Sequence, residues 1–262
     1  MQDAYTKLQQ KKKYTHDLKL TINNKKTKIM YIKSSQMENR QIDIRIHKTD
    51  CLHNKLDNCD CQDKLENVTQ YRYLGVIVDN RFKWDQHTDY INKRLRTILY
   101  YFYRLRNYLD KNTLLTVYTS LAESVVRYCI QAWGNTPKTH LTRTEQLQRR
   151  ILKTIDRNKN QTTQTDLFKK YNVLPVSKLF TYITVVNNFF NDKCKTPVQH
   201  DIRTRQMTNK QLTVPRIQND YGRQTLRHTI PTLFNDLPPD IATLTTYRQI
   251  KIQTKHWLLG QD

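Results

Sequence analysis

The chain has 262 residues, 37% of them hydrophobic, and 45 Lys and Arg stand against 23 Asp and Glu, a formal charge of +22. A chain this long buries a core without disulfides, but so large a charge repels itself unless a polyanion is the usual neighbour; nucleic acid is the first candidate and an anionic membrane the second, and charge alone does not separate them. Four glycines with no Gly-rich loop, no apolar run of membrane-spanning length and an odd count of five cysteines disfavour P-loop, dinucleotide-binding, membrane-spanning and disulfide-scaffold classes, and lead to the expectation of an intracellular protein, in nucleus or cytoplasm.

The first predicted elements are strands. Leu18, Leu20 and Ile22 alternate with polar residues, Asn23–Asn24 make a turn, and Ile29–Ile32 resume. Ile42, Ile44 and Ile46 alternate again. Residues 48–67 are polar and read as a loop. Tyr71–Asp79 reads as one apolar strand, with Leu74, Val76 and Val78 in the core.

The pattern then turns helical. In Thr88–Asn107 the apolar positions Ile91, Leu95, Ile98, Leu99, Phe102 and Leu105 trace one helix face. Lys93, Arg94, Arg96, Arg104 and Arg106 mostly lie off it. A second helix is predicted from about Asn112 to Trp133, with Leu114, Val117, Tyr118, Leu121, Val125 and Tyr128 inward, and Gly134–Pro137 stops it. A third spans about Leu141 to Ile155, with Leu147, Ile151 and Ile155 inward and Arg143, Arg149, Arg150 and Lys153 around it. Asp156–Thr165 reads as a linker, Leu179–Phe190 as another helix, residues 192–225 as irregular, and the tail as a proline-bounded turn and a final helix. The expected fold class is α+β: a small antiparallel part followed by a mainly helical remainder.

Four blocks line up with one family. LTINNKKTKIMYI (Leu20–Ile32) resembles the Leu-x-Asn-x-x-Lys-Thr segment of the reverse transcriptases of non-LTR retrotransposons, through Asn23, Lys26 and Thr27. Tyr71–Ile91 resembles the Tyr-Leu-Gly-Val block that follows, through Tyr73, Leu74, Gly75, Val76, Asp79, Trp84, His87 and Ile91. Arg127–Ile155 is similar to the next block, through Tyr128, Trp133, Gly134, Leu147, Gln148 and Ile155. Tyr221–Ile241 looks like the far C-terminal block, with Asn235, Leu237 and Pro238 in place and Phe234 where Trp is usual. The likeness is greatest to the jockey-type and related clades.

That resemblance implies the end of a polymerase palm in residues 1–86 with a Cys-containing insertion at 48–67, a thumb in 87–157 and a C-terminal region in 158–262. The family's catalytic Asp-Asp pair belongs just upstream of Leu20, and the sequence contains no adjacent acidic pair. A truncated polymerase, inactive alone, is therefore expected. A domesticated RNA- or DNA-binding protein and the product of a decayed element stay open beside it. The intact parent enzyme requires Mg²⁺; no cofactor is expected here.

Individual residues carry further expectations. By resemblance, Lys26 matches a lysine that protonates the leaving pyrophosphate, and Tyr73, Leu74, Gly75 and Val76 match a strand that grips the primer. Asp79, Asp85 and Asp89 carry no catalytic assignment, His87 is structural, and Trp84 and Trp133 are core. Cys51, His53, Cys59 and Cys61 invite a zinc reading, but the Cys-x-Cys pair departs from the commoner ligand spacing, and no metal is expected. The basic helices are the main functional feature. Arg94, Arg104, Arg106, Arg143, Arg149, Arg150 and Lys153 are expected to meet the phosphates of RNA, an RNA–DNA hybrid or a DNA duplex without reading sequence.

Overall fold

A computed structural model describes residues 25–33, 41–47, 62–157, 166–191, 195–197 and 211–260, with isolated positions before residue 24. The fold is α+β. The chain divides into two compact units, Met1–Phe82 and Lys83–Asp262.

Among the described residues, the first unit has three pairs of short strands. β1 (Lys28–Ile29) runs parallel to β4 (Glu66–Asn67), and the Lys28 ammonium pairs with the Glu66 carboxylate. β2 (Arg45–His47) is antiparallel to β3 (Gln62–Lys64), and β5 (Gln70–Tyr73) to β6 (Val76–Asp79). Leu18 and Leu20 are exposed, and Leu18 closes a turn onto the Tyr14 carbonyl, so the strand expected there is not formed. Asn23 explains the following motif. Its carbonyl accepts from the Lys26 and Thr27 amides and the Thr27 hydroxyl, and its side chain also accepts from the Lys26 amide at 3.1 Å. That is the local turn chemistry asparagine supplies. Residues 62–67, expected in a loop, form β3 and β4, because Asn67 clamps the backbone N–H and C=O of Ile42 at 3.1 and 2.9 Å.

Tyr71–Asp79 is a hairpin, not one strand. Tyr73 faces Val76 across a two-residue turn whose residues both have positive φ, 46° at Leu74 and 86° at Gly75. Two left-handed residues match the twist of the flanking strands. Val76 is buried as expected, but Leu74 stands 71% exposed at the tip. Gly75 thus serves the turn.

In the second unit α1 (Asp85–Leu105) buries Ile91, Leu95, Leu99 and Phe102. The expected second helix is interrupted twice. Asp110 caps α2 (Lys111–Val117) by accepting from the Asn112 and Thr113 amides at 2.9 and 3.2 Å. A widened π-helical stretch (Tyr118–Glu123) follows, then α3 (Ser124–Arg127), a left-handed Cys129, and α4 (Ile130–Trp133). The hydroxyls of Thr116, Thr119, Ser120 and Ser124 each bond the carbonyl four residues back, which loosens the helical ladder. The buried residues are Leu114, Tyr118, Ala122, Val126 and Ile130, a constant spacing of four. An α-helix repeats at about 3.6, and the wider turn supplies the difference. That phase shift leaves Leu121 and Tyr128 exposed, contrary to the α-helical expectation. The break at Cys129 lets Trp133 enter the core and donate its indole N–H to the Tyr128 carbonyl at 3.0 Å. A Cβ on Gly134 would meet Phe180 at 2.6 Å, so glycine permits close packing there besides ending the helix.

α5 (Lys138–Asp156) buries Leu147, Ile151 and Ile155, as the period requires, together with Gln148. Gln148 bonds the Tyr118 hydroxyl, the Leu174 carbonyl and the Val176 amide, so one amide joins three segments. α6 (Asp166–Lys170), α7 (Val176–Asn188), α8 (Asp220–Gln224), α9 (Leu226–Asn235), α10 (Pro239–Ala242) and α11 (Tyr247–Gly260) complete the unit. Val185, Leu237 and Ile241 form a cluster there with Phe189, Leu233, Phe234 and Trp257. Among the described residues no helix is long and apolar enough to cross a membrane.

Candidate nucleic-acid interface

α1 and α5 lie side by side and run parallel. Asp85 at the start of α1 meets His140 near the start of α5 at 3.0 Å. Midway, the buried Thr144 hydroxyl donates to the Asn92 side chain at 2.9 Å. At the far end the Arg157 guanidinium donates to the carbonyls of Arg106 and Leu109, the latter at 2.7 Å.

These contacts fix which faces meet solvent. With about 3.6 residues per turn, Asp85, Asn92 and Leu99 form the strip of α1 turned to α5. Arg96 and Tyr103, one heptad apart, then lie beside it on the solvent side. On α5 the corresponding positions are Arg143 and Arg150, also a heptad apart. All four are exposed. The seam between the helices is therefore lined by three guanidiniums and a phenol ring.

Acids are confined to the first turns of this layer: Asp85 and Asp89 of α1 are both exposed, and Asp89 stands one heptad before Arg96. From Tyr90 to Leu109 there are five cations and no acidic residue. α5 has two acids, and both turn toward the protein. Glu145 accepts from the Ser177 amide and hydroxyl at 3.2 and 2.6 Å. The buried Asp156 carboxylate accepts from Lys170 at 2.7 Å, Lys111 at 3.4 Å and the Tyr171 hydroxyl. Burial pushes the Asp156 carboxyl up, but bonds from Lys170 and Tyr171, the Lys170 charge and the bond from Lys111 outweigh it and hold it below its ordinary range. The exposed charged side chains of α5 are Lys138, Arg143, Arg150 and Lys153, all cationic.

The expected basic residues divide by position. Arg104 is exposed with its guanidinium 5.9 Å from the Tyr100 ring centre. Arg94, 5.8 Å from the Tyr90 ring, lies on the flank of α1 away from α5. Arg106 is half-buried over the Tyr103 ring at 5.5 Å. Arg149 was expected on the free face beside Arg150; instead it is half-buried, 5.8 Å from the Phe168 ring. Its packing against α6 takes it out of the outward row. Arg96, although off the apolar stripe, was not singled out in the sequence. Only knowing which neighbour α1 packs against brings it beside Arg143 and Arg150.

The remaining candidates lie elsewhere. Lys26 is exposed on the Asn23 turn, and Tyr73, Leu74, Gly75 and Val76 form the tip of the β5–β6 hairpin, all in the first unit. Cys51, His53, Cys59 and Cys61 lie outside the described residues. Among those described, no group of three or more His, Cys, Asp or Glu is placed to hold a metal. Asp79 bonds the Arg81 amide at 2.9 Å within a turn. Trp84 and His87 are buried, with Trp84 donating to Gln224 at 3.2 Å.

The chain is 29% identical over 87 residues to the probable RNA-directed DNA polymerase from transposon X-element of Drosophila melanogaster. It is 28% identical over 94 residues to the RNA-directed DNA polymerase from mobile element jockey of Drosophila funebris. These partial matches support a reverse-transcriptase-like origin for the matched segment. The matches cover 32% and 35% of this chain and 10% of each relative, so the chain spans about a tenth of the curated relatives it matches. No family model matches the chain. No solved structure matches it.

Proposed function

We propose that this chain derives from the RNA-directed DNA polymerase of a jockey-like non-LTR retrotransposon, and that its α1–α5 layer acts as a thumb holding duplex nucleic acid by its phosphates. The observation that carries this reading is the run of cations along the α1–α5 seam beyond Asp85 and Asp89. A surface face that only confers solubility mixes both signs. Here Arg96, Arg143 and Arg150 line the seam while Glu145 and Asp156 are engaged inside the protein. Two parallel helices, α5 with Arg143 and Arg150 a heptad apart and α1 with Arg96 beside them, suit a backbone followed along its length, giving affinity without base reading. The function proposed is binding rather than nucleotidyl transfer, since no adjacent acidic pair occurs in the 262 residues.

The test is binding of the full chain to an RNA–DNA hybrid duplex across a salt series. Dissociation constants of about 10⁻⁴–10⁻⁶ M at physiological salt are expected for non-specific contacts. Replacing Arg143 and Arg150 together by Gln should flatten the log–log salt slope by about two. Both side chains are exposed and Gln keeps nearly the same helix propensity, so the fold survives. Unchanged affinity and slope in the folded double variant would exclude this seam.

A further inference from the structure

The end of α1 carries aromatic rings where a phosphate-binding helix needs only charge. Tyr100, Tyr101 and Tyr103 are 58%, 52% and 43% exposed, and Tyr108, just beyond the helix, is 85% exposed. Leaving such rings in water forgoes the stabilisation that burying an aromatic side chain supplies. A cation–π contact at so exposed a site returns little of it, and Tyr108 lies beyond the end of the helix. Clustered exposed rings of this kind mark a contact surface.

The chemistry of the surroundings selects the partner. Arg104 lies over the Tyr100 ring and Arg106 over the Tyr103 ring, at 5.9 and 5.5 Å from the centres. A guanidinium beside each ring places a cation next to it, and Tyr101 meets Tyr100 edge-on at 5.9 Å between ring centres, so the exposed rings adjoin one another. No acid lies between Tyr90 and Leu109. Flat rings alternating with unopposed cations complement a chain of flat bases alternating with phosphates. Tyr100 and Tyr103 also lie on the flank of α1 nearest Arg143 and Arg150. We infer that the tyrosine-rich end of α1 stacks the bases of an unpaired strand, adjoining the duplex that the seam holds. The inference rests on the nucleic-acid reading above. It adds single-stranded RNA or DNA as the ligand class.

The test compares three ligands of equal length and charge on the full chain: a thymidine oligonucleotide, its uridine RNA counterpart and an abasic oligonucleotide. Phosphate contacts alone bind all three alike. Stacking on even one tyrosine favours the two base-bearing strands by about fivefold or more, since each stacked base contributes about 1–3 kcal/mol. Replacing Tyr100 and Tyr103 together by Ala should abolish that preference and leave the salt slope in place. The double Phe variant, which keeps the rings, should restore it, and Tyr108→Ala, at a site too exposed to affect folding, should reduce it. A preference for thymidine over uridine or the reverse identifies DNA or RNA as the strand held. Equal binding of base-bearing and abasic strands, or a preference that survives the Ala pair in a folded protein, overturns the inference while leaving duplex binding intact. Polyglutamate of matched charge displacing the oligonucleotides as well as they displace one another points to an acidic protein partner and overturns it too. Failure to bind any of these strands or the hybrid duplex refutes the underlying nucleic-acid reading instead.

Discussion

Acidification should destabilise the helical unit through His87. The imidazole is buried, 5.6 Å from the Trp133 ring centre and 6.2 Å from that of Trp84. Burial disfavours its charged form and lowers its pKa from 6.5 to about 4. The unfolded chain binds the proton at the higher pH. Between those two values the unfolded state therefore holds more protons, and stability falls as pH falls. From pH 7 to pH 5 a shift of that size is equivalent to about 2 kcal/mol, and residual solvent screening brings the expectation to about 1–2 kcal/mol. Below about pH 4 both states are protonated and this contribution to the slope ends. Trp84, Trp133 and Trp257 all lie in the second unit, so tryptophan fluorescence reports its unfolding. Urea midpoints at pH 7, 6 and 5 should decline in the wild-type chain and decline less in His87→Phe, by about 1–2 kcal/mol over the range. Parallel pH profiles for the two proteins would refute the reasoning. So would an NMR titration of His87 with a midpoint near its ordinary 6.5.

Two other perturbations test the fold around the proposed surface. Asp156→Ala removes the acceptor that ties α5 to Lys111, Lys170 and Tyr171, and should lower stability by about 2–4 kcal/mol in urea unfolding, since bonds to charged groups contribute about 1.5–3 kcal/mol each and lost desolvation offsets part. Because its folded pKa is depressed, its contribution is fully present above the unfolded value of about 3.9 and lost as pH falls through the lower folded value, so a loss already complete at pH 6 would contradict the assignment. Leu74→Asn should stabilise the β5–β6 hairpin by about 1 kcal/mol, because Asn tolerates the left-handed region and Leu does not. Slower amide exchange across the Gln70–Asp79 ladder would show it, and faster exchange would mean that the exposed Leu74 side chain contributes more than its backbone strain costs.

The resemblance blocks and the helix periods were legible because they depend on local order. Ile91, Leu95, Leu99 and Phe102 recur on one face whatever they pack against, and the charge of +22 is a sum over residues. What the sequence by itself determined is thus the fold class, the extent of α1 and α5, the core stripes and the cationic character of their outer faces. The tertiary structure decided the rest. A helical period assigns Tyr118 inward but does not reveal the four-residue spacing, because that spacing comes from the widened turn that seats Tyr118 against Gln148. Turn preferences do not announce a left-handed Leu74, since leucine is a poor residue there and the hairpin register imposes it. Arg149 and Arg150 are neighbours in sequence, yet one packs on Phe168 and the other faces solvent, because α6 covers only one edge of α5. Which cations share a surface depends on which helices lie side by side. Arg96 joins Arg143 and Arg150 only because Asn92 and Thr144 hold α1 and α5 parallel across more than fifty residues of sequence, a pairing that no local pattern encodes.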